Sequence, residues 1–480
     1  MDRNKEMLKY PSNYLEIISD GLKVTGKSKR IIIIGAGLAG LIAGSLLKAA
    51  GHDIIILEAN ERIGGRILTI RKTFSDENYL NAGAMRIPDY HYLVHAYLHK
   101  FSLHTHPFIN ETPEDIIFIN HVRTTRQIYE KNPDILQIPL PPSEKGKTAS
   151  ALFEEAIHPF LTQYQQADSA GKKELEEAYK NYSIEEFLLH NPIGPSLSKN
   201  AVFLISIMLG IEGFSQGSFV DILTDIFEPL TQKDVSFSAI TNGNDLLPLS
   251  IYHQVKEDTY LHHKVVAIDQ SPASYVEIHT NQKSSFRGDF VISAIPFPLL
   301  QFIDIYPKHS IPFQKWQLIR RLNHIPSLKI GIEFHFRFWE EYSFGNAITD
   351  LPISFAYIPS QKDINVMTVS YTWGERALLW TSAPPKSIYE YVMKDLAKIY
   401  GTIVYQAFKK LVYFNWSLNP YSAGCFSLLT PTLGAAKAEA DMEKAEGKIY
   451  FAGDHVSGFN GWMEGAIEAG IRTAFEINNK

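Results

Sequence analysis

Apolar positions recur along the chain with two different periods, and the change of period marks the elements. Residues 31–34 are four consecutive isoleucines, a β-branched run with no polar face that predicts a strand buried on both sides in a parallel sheet. Gly35-Ala36-Gly37-Leu38-Ala39-Gly40 follows at once, and an apolar stretch then runs to Ala50 and stops at Gly51, the sign of a helix and its terminator. A second strand, Asp53 to Leu57, ends at Glu58, completing a β-α-β unit. Because Ile31 to Leu47 carries no charge and follows Lys29 and Arg30, a membrane anchor has to be weighed. The stretch is 17 residues long with four glycines, at the bottom of the roughly 17–25 residues a spanning helix needs, and the strand, loop and helix account for it better.

Beyond this unit, Pro139 to Lys147 is rich in Pro, Lys and Gly and reads as a linker, while residues 151–230 carry helical spacing and mixed charge. Strands return at Lys264–Asp269 and Phe290–Ala294. The most regular alternation spans Leu328 to Trp339: Ile330, Ile332, Phe334, Phe336 and Phe338 fall on one face and Lys329, Glu333, His335 and Arg337 on the other. That predicts an antiparallel sheet with one solvated face. A last strand, Lys448 to Phe451, leads through Ala452-Gly453-Asp454 to a helix from Gly461 onward.

Length and composition narrow the class. At 480 residues the chain exceeds the roughly 250–300 that one core supports, so several units are expected. With 45% hydrophobic and 20% charged residues it has a globular composition. A net charge of −6 offers no basic field for a phosphate backbone, so nucleic acid is not an expected partner. Cys425 is the single cysteine, which excludes an intrachain disulfide and a multi-cysteine metal site. Residues 1–30 lack an apolar core with a cleavage site and read as a leader helix of the fold. No membrane partner is expected, the location is expected to be cytoplasmic, and a homodimer stays open. His91, His95 and His99 recur every four residues, but no third ligand and closed shell can be identified, so the stripe reads as one face of a helix and no metal is expected.

The glycine loop carries the first chemistry. Between a strand and a helix, with Glu58 eighteen positions after Gly40, GxGxxG is a dinucleotide signature: Gly35 for the turn, Gly37 for approach to a pyrophosphate, Gly40 for helix-strand contact, and helix N–H groups at Leu38 and Ala39 for the anion. Glu58 can accept the ribose hydroxyls. The next stretch, Glu61-Arg62-Ile63-Gly64-Gly65-Arg66, resembles the flavin amine oxidase family, as does Tyr450-Phe451-Ala452-Gly453-Asp454 near the C-terminus. The resemblance implies FAD, with Gly64, Gly65 and Arg66 along the pyrophosphate, Ala59 among the cofactor-binding residues, Asp454 beside Gly453 on the ribityl chain, Val265 at the adenine, and Gly461, Trp462, Met463 and Ala466 beside the flavin ring.

Within that family the chain is most similar to the L-amino-acid oxidases, from Tyr14-Leu15-Glu16-Ile17 to Gly461-Trp462. In them the arginine of Gly83-Ala84-Met85-Arg86 binds the substrate carboxylate, and the same stretch borders the cofactor. A guanidinium suits this: it clamps a planar carboxylate through two bonds and stays charged. Taken alone, Arg86 could equally tie a loop to FAD or pair with an acid. The resemblance further implies a second carboxylate bond from Tyr371, a catalytic water held at flavin N5 by Lys329, and aromatic walls from Trp416, Phe426 and Trp462; by pattern alone Lys329 is a solvated lysine and the aromatics are core. The implied reaction converts an L-amino acid, of large apolar or aromatic type, with dioxygen to a 2-oxo acid, ammonium and hydrogen peroxide. A tryptophan-type flavin monooxygenase, a mono- or polyamine oxidase and a non-catalytic FAD-binding protein are the alternatives. Tyr421-Ser422-Ala423-Gly424-Cys425-Phe426 resembles the monoamine oxidase segment whose cysteine links FAD covalently; the thiol is read here as a small buried hydrophobe beside non-covalent FAD.

These features give an α/β fold of a Rossmann-type FAD-binding domain, a mixed-sheet substrate domain and a helical insert. The expected division is 21–72, 237–321 and 422–480 for FAD, 73–120 and 322–421 for substrate, and 121–236 for the mostly helical unit.

Overall fold

The isoleucine run sits at the centre of a five-stranded parallel sheet. In the computed structural model, which describes residues 8–75, 77–223, 235–433 and 441–480, the Arg30–Ile34 strand lies between Asp53–Leu57 and Phe290–Ser293, with Ile33 opposite Ile56 and Ile292. Thr259–Tyr260 and Ile449–Phe451 close the two edges. All four isoleucines are 0–3% exposed, each worth roughly 1.5–3 kcal/mol of burial, which is why a stretch without a polar face is stable only here. Helices Leu38–Ala49 and Met463–Asn478 pack together against one face, and a four-stranded sheet built on Val265–Asp269 shares a core with the other. The C-terminal helix starts at Met463, two residues later than the sequence suggests, because Gly461 has φ +80° and Trp462 is extended.

The leader forms a helix over Ser12–Asp20 and docks on that C-terminal helix: Tyr10 and Tyr14 donate to Glu464 (2.7 Å) and Glu468 (2.6 Å), one turn apart. Glu464 also accepts from the backbone N–H groups of Leu93 (2.8 Å) and Val94 (2.9 Å), capping from outside a helix, Tyr92–Lys100, that has no side-chain cap of its own. Of the histidine stripe, His91 is buried, His95 bonds the Pro88 carbonyl at 3.0 Å and His99 is exposed; among the described residues no group of three ligands suits a metal.

A seven-stranded sheet runs Phe408–Asn415, Ser327–Phe334, Val366–Trp373, Phe355–Tyr357, Ala347–Thr349, Ile116–Ile119, Val122–Thr125. The central strand pairs antiparallel on both sides, as the alternation predicts. Two expectations fail. The strand ends at Phe334, and Phe338–Glu341 is a short helix with Phe336 40% exposed. Its polar face is not solvated either, since every residue from Ser327 to Phe334 is buried. Ser75 and residues 77–83 roof that face: Leu80 covers Gly331, and Ser75, Asn78 and Lys409 satisfy Glu333. The opposite face packs on helix Ile388–Tyr400.

The helical region comprises Ala149–Gln166, Ser169–Tyr179, Ile184–Leu189 and Lys199–Met208. Thr148, Asp168, Ser183 and Ser198 each accept a backbone N–H as N-caps, which places the helix starts where these short polar side chains occur. Residues 224–230 of the helical pattern lie outside the described residues. The expected linker at 139–147 is instead packed, with Leu140 and Glu144 buried and Glu144 accepting from the Ser198 backbone at 2.7 Å. Among the described residues no helix is long and apolar enough to cross a membrane.

One substitution tests the core of this arrangement. A Cβ on Gly40 would lie 2.1 Å from the Gly35 carbonyl oxygen, a backbone atom that cannot yield. Gly40→Ala should destabilise the fold by on the order of 3 kcal/mol or more, read as a lower thermal midpoint; an unchanged midpoint would show that the helix can retreat from the loop.

Candidate active site

A single long cavity, with about 1630 Å³ of unfilled space counting its open mouth, runs from the glycine loop to the seven-stranded sheet. At its first end the Arg30–Ile34 strand turns at Gly35, whose φ of +102° favours glycine. The Leu38–Ala49 helix begins there with Gly37 as N-cap and no side-chain cap, so the positive end of its dipole faces the cavity. A Cβ on Gly37 would meet nothing within 4 Å, which leaves room for a ligand against the backbone. Glu58 is buried and accepts from the N–H groups of Ala36 and Asn60, both at 2.8 Å; burial raises its pKa despite these bonds. A carboxylate has about four acceptor positions, so hydroxyl groups can still be bound.

The middle of the cavity is organised by Arg66 and Asp454. The guanidinium pairs with both carboxylate oxygens and donates to the Cys425 carbonyl at 2.9 Å, and Asp454 accepts the Gly461 N–H at 3.2 Å. Burial acts to raise the Asp454 pKa, but the charge of Arg66 and its hydrogen bonds hold it well below the usual carboxylate range. The helix that starts at Met463 points its uncapped end at the same space.

At the far end stands the seven-stranded sheet. Lys329 and Tyr371 are cross-strand partners, with Nζ 4.3 Å from the ring centre. Lys329 is 1% exposed and donates to the carbonyls of Gly83 (2.6 Å) and Asn81 (3.2 Å). Burial, and then the positive charge of Arg86, bring its pKa down to about 7. A neutral amine has two N–H groups, which match these two carbonyls, and one lone pair left to accept a bond. Burial holds the Tyr371 phenol neutral by raising its pKa. Trp416 donates to the Ala82 carbonyl at 2.8 Å, and Phe426 lies under Gly461.

The structure therefore brings most of the sequence-predicted residues to one cavity. Gly35, Gly37, Leu38, Ala39, Glu58 and Ala59 line its first end; Gly65, Arg66, Gly83, Ala84, Gly453 and Asp454 its middle; and Lys329, Tyr371, Trp416, Phe426, Gly461, Trp462, Met463 and Ala466 its far end, with Val265 at the wall. Three are not on the wall. Gly40 lies beneath the loop, Met85 is buried, and Arg86 stands behind the far end. There the Arg86 guanidinium bonds the Asn110 side chain and lies 5.2 Å from the centre of the Phe237 ring. Sequence reasoning missed Arg62, which lines the cavity and donates to the carbonyls of Ile63 and Gly65; its place inside Glu61–Arg66 was the available signal. Asn110 and Tyr357 carried no signal, since only the folded chain brings them to Arg86.

An uncapped helix end at a glycine turn, a buried carboxylate at the end of the second strand and a second uncapped helix end farther along define a dinucleotide-binding flavoprotein. The flavin-containing amine oxidoreductase family matches residues 38–478, and the chain belongs to that family, with FAD as its cofactor. A Bacillus subtilis (strain 168) protein named "Putative L-amino-acid oxidase YobN" is 40% identical over 475 residues, covering 97% of this chain and 98% of the relative. An L-amino-acid oxidase of Siganus canaliculatus is 31% identical over 477 residues, covering 97% and 88%. Among solved structures, cyclohexylamine oxidase from Brevibacterium oxydans IH-35A shares the fold with a TM-score of 0.76 at 19% identity, covering 94% of this chain and 99% of that one.

Cys425 lines this cavity. Its thiol donates to the Ile325 carbonyl at 3.1 Å, and burial pushes its pKa up to about 12, so the nucleophilic thiolate is scarce near neutral pH. Acid precipitation of the holoenzyme should leave a colourless pellet and release all FAD to the supernatant; yellow colour retained on the polypeptide would establish a covalent link.

Proposed function

We propose that the chain is an FAD-dependent L-amino-acid oxidase that converts large apolar or aromatic L-amino acids to 2-oxo acids, ammonium and hydrogen peroxide. The observation that carries this reading is Arg86, a cation at the Lys329–Tyr371 end of the cavity for which no ion pair with a carboxylate is found among the described residues. Every other strongly held arginine of the cavity region has an acid or backbone carbonyls: Arg66 has Asp454, Arg71 has Asp245, and Arg62 has the carbonyls of Ile63 and Gly65. An uncompensated guanidinium selects a carboxylate, and a simple amine gives it nothing to bind. The amino-acid oxidases among the relatives support the same choice.

Gly37, Glu58, Arg66, Asp454 and the uncapped end of the C-terminal helix would hold FAD. When bound, FAD supplies the two-electron acceptor for the substrate α-hydrogen and is returned to its oxidised state by dioxygen. The remaining work falls to side chains. Arg86 clamps the carboxylate, and the neutral Tyr371 phenol adds a second bond. Arg86 and Lys329 place two basic groups beside the amine, with no carboxylate paired to either among the described residues, which favours its neutral, reactive form. The unprotonated Lys329 uses its lone pair to hold the water that hydrolyses the imino acid. Trp416, Phe426 and Trp462 orient the substrate. Tyr371 is 4.2 Å from Trp373, and Phe355 is 5.6 Å from Trp373, so the sheet beyond the carboxylate site offers aromatic surface for an apolar side chain.

Twenty L-amino acids with peroxide detection test this reading; the strongest signals should come from Phe, Leu, Met, Trp and Tyr, together with stoichiometric oxo acid. Amide in place of oxo acid would identify a monooxygenase, and oxidation of simple amines alone would identify an amine oxidase. Arg86→Ala should keep FAD and lower kcat/KM for amino acids by on the order of 2–5 kcal/mol in transition-state terms, and unchanged kinetics would remove Arg86 from the site. Lysine with a pKa near 7 is charged below that pH and neutral above it, so the turnover limited by imine release or flavin reoxidation should rise through pH 7. Lys329→Met should lower that rate and flatten the profile with little change in substrate affinity; an intact profile would return Lys329 to a structural role.

A further inference from the structure

The guanidinium of Arg86 is held from behind by neutral groups. Arg86 precedes the short Ile87–Pro88 strand, which pairs with Phe237–Ile240, so its backbone is fixed by a sheet. Its Nη1 donates to the Asn110 side-chain oxygen, and the Tyr357 phenol lies close enough to feel its charge. Both of those residues hang from one buried side chain. Asn346, 5% exposed, donates to the Asn110 carbonyl at 3.3 Å and accepts the Ile358 N–H, next to Tyr357, at 2.9 Å. Asn346 is in turn anchored by Asp115 at 2.9 Å, and that carboxylate is engaged by Arg126 at 3.4 Å and by Thr112 at 2.9 Å. The acid in this network is thus two residues removed from Arg86 and already has a cationic partner.

We propose that Asn110 is a positioning residue that aims the Arg86 guanidinium through a neutral acceptor, leaving its full charge for the carboxylate of the substrate. This rests on the reading of Arg86 as the carboxylate clamp. The physical point is the difference between an amide and a carboxylate at this position. An amide oxygen fixes the direction of one N–H and removes rotational freedom from a long side chain, while leaving the net charge uncancelled. A carboxylate would form an internal ion pair, compete with the ligand for the same fork and repel it. Asn and Asp have nearly the same shape, so exchanging them changes charge with little change in packing.

The test compares Asn110→Asp and Asn110→Ala with the wild-type holoenzyme. Binding of benzoate, an anion, and of benzamide, its neutral counterpart, is followed through the flavin absorbance, and KM and kcat are measured for L-phenylalanine. Asn110→Asp should weaken benzoate and raise KM by at least about 30-fold while changing benzamide binding and kcat by less than about 3-fold. Asn110→Ala, which loses orientation but adds no charge, should fall between, at about 3–10-fold. Equal losses for benzoate and benzamide, a general fall in kcat, or no change in either variant would overturn the proposal. If the wild-type protein oxidises no L-amino acid, the functional reading fails, and the benzoate-to-benzamide ratio in the two variants still decides the role of Asn110.

Discussion

The Arg66–Asp454 ion pair is the constraint on which the site depends. Its two residues are 388 positions apart, one just after the glycine-loop unit and the other after the last strand of the parallel sheet. Arg66 also grips the Cys425 carbonyl and Asp454 the Gly461 N–H, so one pair sets the mutual placement of four chain segments that wall the cavity. A buried pair of this kind adds little net stability, because desolvation offsets most of the attraction. Breaking it by removing one partner costs about 3–5 kcal/mol, since the other charge is left uncompensated. Its contribution is registry: the walls fit together in one way.

The same electrostatic logic, with the opposite outcome, applies twenty residues farther on. Arg66 is cancelled by an acid and becomes architecture, whereas Arg86 is held by an amide and an aromatic face, with no carboxylate partner found among the described residues. Lys329 lies near it with no counter-ion found among the described residues, and burial together with the Arg86 charge favours its neutral form. Among the described residues, no carboxylate is paired with either group at this end of the cavity. What distinguishes a ligand site from a structural ion pair is the missing partner.

Position in the sheet explains why the lysine can be kept dry. Along Ser327–Phe334 one face packs on a helix, and the other faces Ser75 and residues 77–83. That covering segment provides the two carbonyls for Lys329 and the Ser75 and Asn78 donors for Glu333. It continues through Gly83 and Ala84 to Arg86, so one stretch of backbone joins the roof of the lysine to the guanidinium that shifts its pKa.

Local patterns in the sequence determined the elements that depend on near neighbours. The isoleucine run, the glycine loop and Glu58 lie within one βαβ unit, where side-chain branching and glycine sterics act over a few residues, so their structure and their ligand chemistry could both be read directly. The caps at Thr148, Asp168, Ser183 and Ser198 are local in the same sense. The polar face of the long strand could not be read, because a period of two shows that a face is polar without showing what covers it. Lys329 looked solvated for that reason and is buried because residues nearly 250 positions away lie over it. The supposed linker at 139–147 failed similarly, since Glu144 is held by Ser198. Whether an arginine is cancelled or left charged was decided only by tertiary structure, because Asp454 and Asn110 reach Arg66 and Arg86 through the fold and not through the chain.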